Sequence, residues 1–117
     1  VNVISISGLY PSPMHVTYSA SKAALYSLTR ALRIEMRIQG LSLPVFGVYP
    51  GPIETDMADN LDVQKGRPCD VASRTFKAME EGILDITTDA LSDHFLSFLK
   101  TDMKAIEAIK RAFNTAK

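Results

Sequence analysis

The stretch Leu43-Pro44-Val45-Phe46-Gly47-Val48-Tyr49-Pro50-Gly51-Pro52 is a short apolar run cut off by a Pro-Gly-Pro break. Its length and its β-branched and aromatic content read as a buried strand, 43–49, because a core helix needs a longer run. Upstream, Leu25, Leu28, Leu32 and Met36 recur at three- and four-residue steps. That period predicts a long helix from an N-cap at Thr17 to about Gln39 with one buried stripe, stopped by Gly40. Before it, Leu9 to Val16 holds Pro11 and Pro13 and reads as loop, and Val1 to Ile6 reads as another buried strand. Downstream, 53–66 is polar and aperiodic. Residues 69–81 return to helical spacing with Val71, Ala72, Phe76 and Met79 as the apolar face, and 83–87 is a third short strand. Helices are expected over 90–99 and 102–116, the last with Ile106, Ile109 and Phe113 toward the core.

Strand, helix, strand, helix, strand, with apolar runs that scarcely alternate, is the pattern of a parallel sheet covered on both faces by crossover helices. The fold class is therefore α/β. Nothing repeats, and no linker divides the chain.

Composition narrows the function. The 117 residues carry 13 Lys+Arg against 13 Asp+Glu, a balance that argues against a nucleic-acid partner or an anionic membrane surface. No apolar stretch approaches the ~18–20 residues that span a bilayer. The opening Val1-Asn2-Val3-Ile4-Ser5 lacks the basic and long apolar regions of a signal peptide. A single cysteine, Cys69, cannot staple the fold, so a reducing, cytoplasmic location is expected.

Most chemistries fail on spacing. His15, His94 and Cys69 do not form a zinc pattern, and Asp56, Asp59 and Asp62 do not form a calcium loop, so no metal is expected. Neither Gly-rich phosphate loop is found, nor the strand-borne elbow of a serine hydrolase. Both histidines read as ordinary surface or loop residues. One constellation remains. Tyr18 and Lys22 stand four residues apart at the start of the long helix, hence on one face. An ammonium beside a phenol favours phenolate and lowers a pKa that is otherwise ~10, which makes the pair an acid/base device. Ser5 ends the first strand and Pro50-Gly51 ends the second, at the sheet edge where open α/β proteins bind ligands. Tyr-x-x-x-Lys by itself is a weak signal, and its bland reading is a half-buried Tyr and a solvated Lys. Its coupling to a strand-end Ser and a strand-end Pro-Gly is much more specific.

Ser5-x-x-Gly8, Tyr18-Ser19-Ala20-Ser21-Lys22-Ala23-Ala24 and Tyr49-Pro50-Gly51-Pro52-Ile53-Glu54-Thr55-Asp56-Met57 together resemble the C-terminal half of the short-chain dehydrogenase/reductase family. The thirteen-residue step from Ser5 to Tyr18 is similar to that family's interval. The resemblance implies the C-terminal half of a Rossmann-like doubly wound sheet, with 1–117 as part of an NAD(P)-binding domain whose Gly-rich half is not found here. It implies Tyr18 as general acid/base, Lys22 as its electrostatic partner and a holder of the nicotinamide ribose, and Ser5 as the group that polarises the substrate oxygen. Ser7 competes for that last role, but the interval to Tyr18 favours Ser5. Pro50, Gly51, Ile53 and Thr55 are implied to lie against the nicotinamide of NAD or NADP. About 56–66 is implied to be a substrate loop, mildly apolar at Met57, Leu61 and Val63.

The implied activity is hydride transfer between a nicotinamide and a small carbonyl or alcohol. The epimerase/dehydratase branch shares the Tyr-Lys pair but resembles these strings less. A different reading is a truncated, non-enzymatic homologue that self-associates as an interaction module. Under either reading a homo-oligomer through the 18–39 helix is expected.

Overall fold

A computed structural model describes residues 1–60 and 62–100. Leu61 and the helix expected over 102–116 lie outside the described residues. Three strands, β1 (Asn2–Val3), β2 (Gly47–Tyr49) and β3 (Asp85–Thr87), form one parallel sheet in the order β1-β2-β3. Helix α1 (Val16–Ile38) connects the first pair, α2 (Pro68–Glu80) connects the second, and residues 90–100 form a further helix, α3. The α/β class and the alternation of elements agree with the sequence reading.

The strands are shorter than expected. Along β1 the amides of Asn2, Ile4 and Ile6 donate to the carbonyls of Phe46, Val48 and Pro50 at 2.8, 2.7 and 3.1 Å. Pairing thus runs the length of 1–6, but Ser5 turns the backbone out of extended geometry (φ 138°) and a 3-10 turn, Ile6–Gly8, follows. On β2, Leu43 and Pro44 are exposed and irregular, consistent with a proline that has no amide to give to a ladder.

Side chains alternate across the sheet, and both faces are covered. Phe46, Val48 and Ile86 form a buried cluster against Ala78 and Met79 of α2. On the opposite face Asn2 Nδ2 donates to Thr29 Oγ1 of α1 at 2.9 Å, and Thr29 in turn donates to the Leu25 carbonyl at 2.8 Å.

Three sequence expectations about the helices are corrected. Helix α1 begins one residue before Thr17, with His15 as N-cap, and Thr17 sits exposed in its first turn. Its fully buried residues are Ser19 and Thr29, whereas Leu25, Leu32 and Met36 are half-buried and Leu28 is 52% exposed. On α2 the inward face is Val71, Thr75, Ala78 and Met79. Ala72 is exposed and Phe76 is 66% exposed, each one position round the helix from that face. A step of one residue turns a helix by about 100°, so a periodicity that accepts either neighbour can select the wrong side.

Candidate active site

The carboxyl ends of β1 and β2 and the first turns of α1 enclose a cavity of about 450 Å³, a size suited to a small ligand. Ser5, Tyr18, Lys22, Pro50, Gly51, Ile53 and Thr55 all line it. Every residue singled out from the sequence as catalytic or cofactor-binding therefore stands on one wall system, although 50 positions separate the first from the last. The parallel order β1-β2 brings this about, because both strands finish at the same edge.

Each polar group has a defined setting. Lys22 Nζ lies 5.6 Å from the Tyr18 ring centroid and donates to the Val3 carbonyl at 3.1 Å. An ammonium carries three donors, so two remain for a ligand. Tyr18 is half-buried, and among the described residues its hydroxyl has no hydrogen-bond partner. Ser5 Oγ accepts from the Ser7 amide at 3.2 Å, which leaves its hydroxyl proton free to be donated. Ser7, which supplies that amide, also lines the cavity. The Ser5 backbone is the sole non-glycine at positive φ among the described residues, and strain of this kind clusters at functional positions.

Gly8 sets how closely α1 approaches β1. A Cβ there meets Ile4 Cγ2 at 2.6 Å and the Lys22 carbonyl oxygen at 2.7 Å, so a side chain at position 8 displaces the turn that carries Lys22. The segment after Pro52 is pinned at its base: the Gly66 amide donates to the Pro52 carbonyl at 2.9 Å and the Glu54 amide to the Gly66 carbonyl at 2.8 Å. Met57, 83% exposed, sits on this loop and reaches the cavity wall.

Two contributors escaped sequence reasoning. His15 is an exposed loop residue as the sequence reads it, but it also lines the cavity; its place just ahead of the helix was the available signal. Asp89 accepts from the Gly51 amide at 2.9 Å through Oδ2 and from the Ser92 amide at 2.8 Å through Oδ1. Burial pushes its carboxyl up, but the Ser92 and Gly51 amides and the hydroxyls of Thr88 and Ser92 outweigh that and hold it below the usual carboxylate range. An Asp three residues before a Ser at the head of a helical run was a readable cap signal, though not a signal of contact with Gly51.

Residues 1–66 match the family model described as short chain dehydrogenase. The chain belongs to the short-chain dehydrogenase family. Among its relatives, the 3-oxoacyl-[acyl-carrier-protein] reductase of Rickettsia bellii is 41% identical over 66 residues, which are 56% of this chain and 27% of that protein. The 3-beta-hydroxysteroid dehydrogenase of Comamonas testosteroni is 40% identical over 57 residues, 49% of this chain and 22% of its own. In three dimensions the chain is similar to a short-chain dehydrogenase from Burkholderia cenocepacia solved in complex with NADP. The TM-score is 0.75 at 30% identity, covering 92% of this chain and 46% of that one. This short-chain dehydrogenase chain thus spans less than half of that solved relative.

Proposed function

We propose that the chain is the catalytic segment of an NAD(P)-dependent oxidoreductase that interconverts a small carbonyl and its alcohol. The observation that carries this reading is the meeting of Ser5, Tyr18 and Lys22 with Pro50, Gly51, Ile53 and Thr55 around one cavity. The donor set fits a nicotinamide riboside. Pro50, Pro52 and Ile53 give an apolar wall for a flat ring, the Thr55 hydroxyl suits a carboxamide, and the remaining Lys22 donors suit ribose hydroxyls. The dinucleotide, when bound, supplies or accepts the hydride. The chain's own residues do the rest. Ser5 donates its hydroxyl proton to the substrate oxygen and so stabilises charge that develops there. Tyr18 gives its phenolic proton to that oxygen in reduction and takes it back in oxidation. Lys22 holds its ammonium 5.6 Å from the Tyr18 ring centroid and turns its remaining donors to the ribose. Met57, exposed on its pinned loop, adds apolar surface to the cavity wall.

Residues 1–117 on this reading are part of an NAD(P)-binding Rossmann domain. A second copy of the chain is its partner, through α1, whose Leu28, Ile34 and Ile38 are exposed. The exposed free thiol of Cys69 suits the reducing cytoplasm. Among the described residues no helix is long and apolar enough to cross a membrane.

Fluorescence titration of the native protein with NADH and with NADPH, together with its mass in solution, tests the proposal. Saturable micromolar binding is expected and identifies the preferred dinucleotide. A folded, self-associated protein that binds neither favours the interaction-module reading instead. Product analysis separates the epimerase branch: net reduced or oxidised cofactor accumulates with turnover in a dehydrogenase and is recycled in an epimerase.

A further inference from the structure

The turn Pro50-Gly51-Pro52 can do little to hold itself. Two of its three residues are prolines and have no amide proton, so Gly51 owns its sole main-chain donor. That proton goes to Asp89 Oδ2 at 2.9 Å, across 38 positions of sequence. Asp89 lies between β3 and α3 and is itself firmly oriented. Its Oδ1 accepts from the Ser92 amide at 2.8 Å, which caps α3, and its Oδ2 accepts from the Thr88 hydroxyl at 3.0 Å. Ser92 Oγ returns the arrangement by accepting from the amides of Thr88 and Asp89 at 3.0 and 3.1 Å. The two carboxylate oxygens therefore divide their work, one on a helix and one on the turn.

Close approach is built in from the other side as well. A Cβ at position 51 meets Asp89 Oδ1 at 2.9 Å and Oδ2 at 3.1 Å, so only glycine brings its backbone this near the carboxylate. Asp89 is not part of the cavity lining, whereas Pro50, Gly51, Pro52 and Ile53 are. Its hydrogen bond to the cavity wall is the one to the Gly51 amide.

We propose that Asp89 is a positioning residue for dinucleotide binding, fixing the Pro50-Gly51-Pro52 turn by its bond to the Gly51 amide and thereby the stand of Ile53 and Thr55 on the cavity wall. This rests on the oxidoreductase reading. The feature is a distal clamp: the turn leaves β2, and its acceptor is delivered by the end of the adjacent strand β3. Because β3 is fixed by its ladder to β2, the carboxylate is held in place before any ligand arrives.

The test uses the native full-length protein with Asp89→Asn and Asp89→Ser. Both residues cap helices about as well as Asp. The Asn amide that caps α3 turns its NH2 toward the Gly51 donor, and the Ser side chain is too short to reach it. Each variant is expected to weaken NADH or NADPH binding by on the order of tenfold, the loss of one charge-assisted hydrogen bond. The KM for dinucleotide rises in step, kcat at saturating dinucleotide falls by less, and both variants still unfold in one cooperative transition at a modestly lower melting temperature. The Gly51 amide proton, followed by NMR without any ligand, moves upfield and exchanges faster in both variants. Unchanged dinucleotide affinity in both variants, with a wild type that binds, overturns the positioning role and leaves Asp89 a helix cap. An unshifted Gly51 amide overturns the bond itself. A wild type that binds neither dinucleotide, with a Gly51 amide that still responds to the variants, overturns the oxidoreductase reading and with it the assignment of this turn to a dinucleotide.

Discussion

The Tyr49 hydroxyl donates to Asp85 Oδ1 at 2.8 Å, and the same oxygen holds Arg33 Nη1 at 2.9 Å. Arg33 also donates from Nε to the Val45 carbonyl at 2.8 Å and from Nη2 to the Leu84 carbonyl at 2.7 Å. One side chain of α1 thus binds the residues leading into β2 and β3, and a fully buried tyrosine completes the set. Gly47 makes room, since a Cβ there stands 2.7 Å from the Tyr49 hydroxyl. Tyr49→Phe is expected to cost about 1 kcal/mol, one buried hydrogen bond, because Asp85 keeps Arg33. Asp85→Ala costs more, since it strands the Tyr49 hydroxyl and the Arg33 charge together. Denaturant melts of the two variants check the order. Burial, then the Asp85 charge, pushes the Tyr49 phenol well above its ordinary range. An alkaline titration followed by ultraviolet absorbance should therefore find one tyrosine that ionises only as the protein unfolds.

Tyr18→Phe removes the proposed proton donor and almost no volume. Turnover in the full-length enzyme should fall by about 10²–10⁴, the usual worth of a positioned acid/base. Dinucleotide affinity should stay near wild type in the same titration. Near-normal turnover in the variant would give the acid/base role to another group.

Gly8→Ala forces a methyl group against the Lys22 carbonyl and Ile4. Overpacking of this kind costs about 1–3 kcal/mol. The strain falls on the turn of α1 that carries Lys22, so dinucleotide affinity should drop along with the melting temperature. A variant that melts earlier but binds normally would detach Gly8 from the site.

Ser5 holds a φ that favours glycine. Ser5→Gly and Ser5→Ala both delete the hydroxyl and should depress turnover alike. They should differ in stability: glycine relaxes the backbone, so Ser5→Gly should unfold about 1 kcal/mol later than Ser5→Ala. Equal stabilities would mean that the backbone at this position is unstrained in solution.

The depressed Asp89 carboxyl makes stability depend on acid. A group whose pKa is lower folded than unfolded contributes fully above its unfolded value, ~3.9 for Asp, and loses that contribution as pH falls through the folded value. Wild-type melting should fall more steeply below that point than melting of Asp89→Asn. Parallel curves would mean that the carboxylate gains nothing from its three donors.

What the sequence disclosed and what it hid divide on physical lines. The order of the elements was legible because its signals are local: apolar runs break after Ile6 and at Pro50, and Tyr18 and Lys22 share a face by spacing alone. Bringing them to one cavity needed only the parallel order of β1 and β2. Leu28 and Phe76 misled because periodicity marks a stripe without saying which neighbour covers it. The length of β1 was overestimated because Ser5 leaves extended geometry, and no residue type announces a positive φ in a serine. Asp89 was hidden for a different reason. Its cap on α3 is local, but its grip on Gly51 exists only once β3 lies beside β2.

That grip separates the recognisable part of this chain from the self-sufficient part. A chain ending at Gly66 would keep each string that resembles the family, and every residue of the 1–66 match. It would nonetheless lack an acceptor for the Gly51 amide, which comes from residue 89. Transplanting the motif-bearing segment into another scaffold should therefore carry over Tyr18 and Lys22 with their helix. It would leave the Pro50-Gly51-Pro52 turn to find a new anchor in its host.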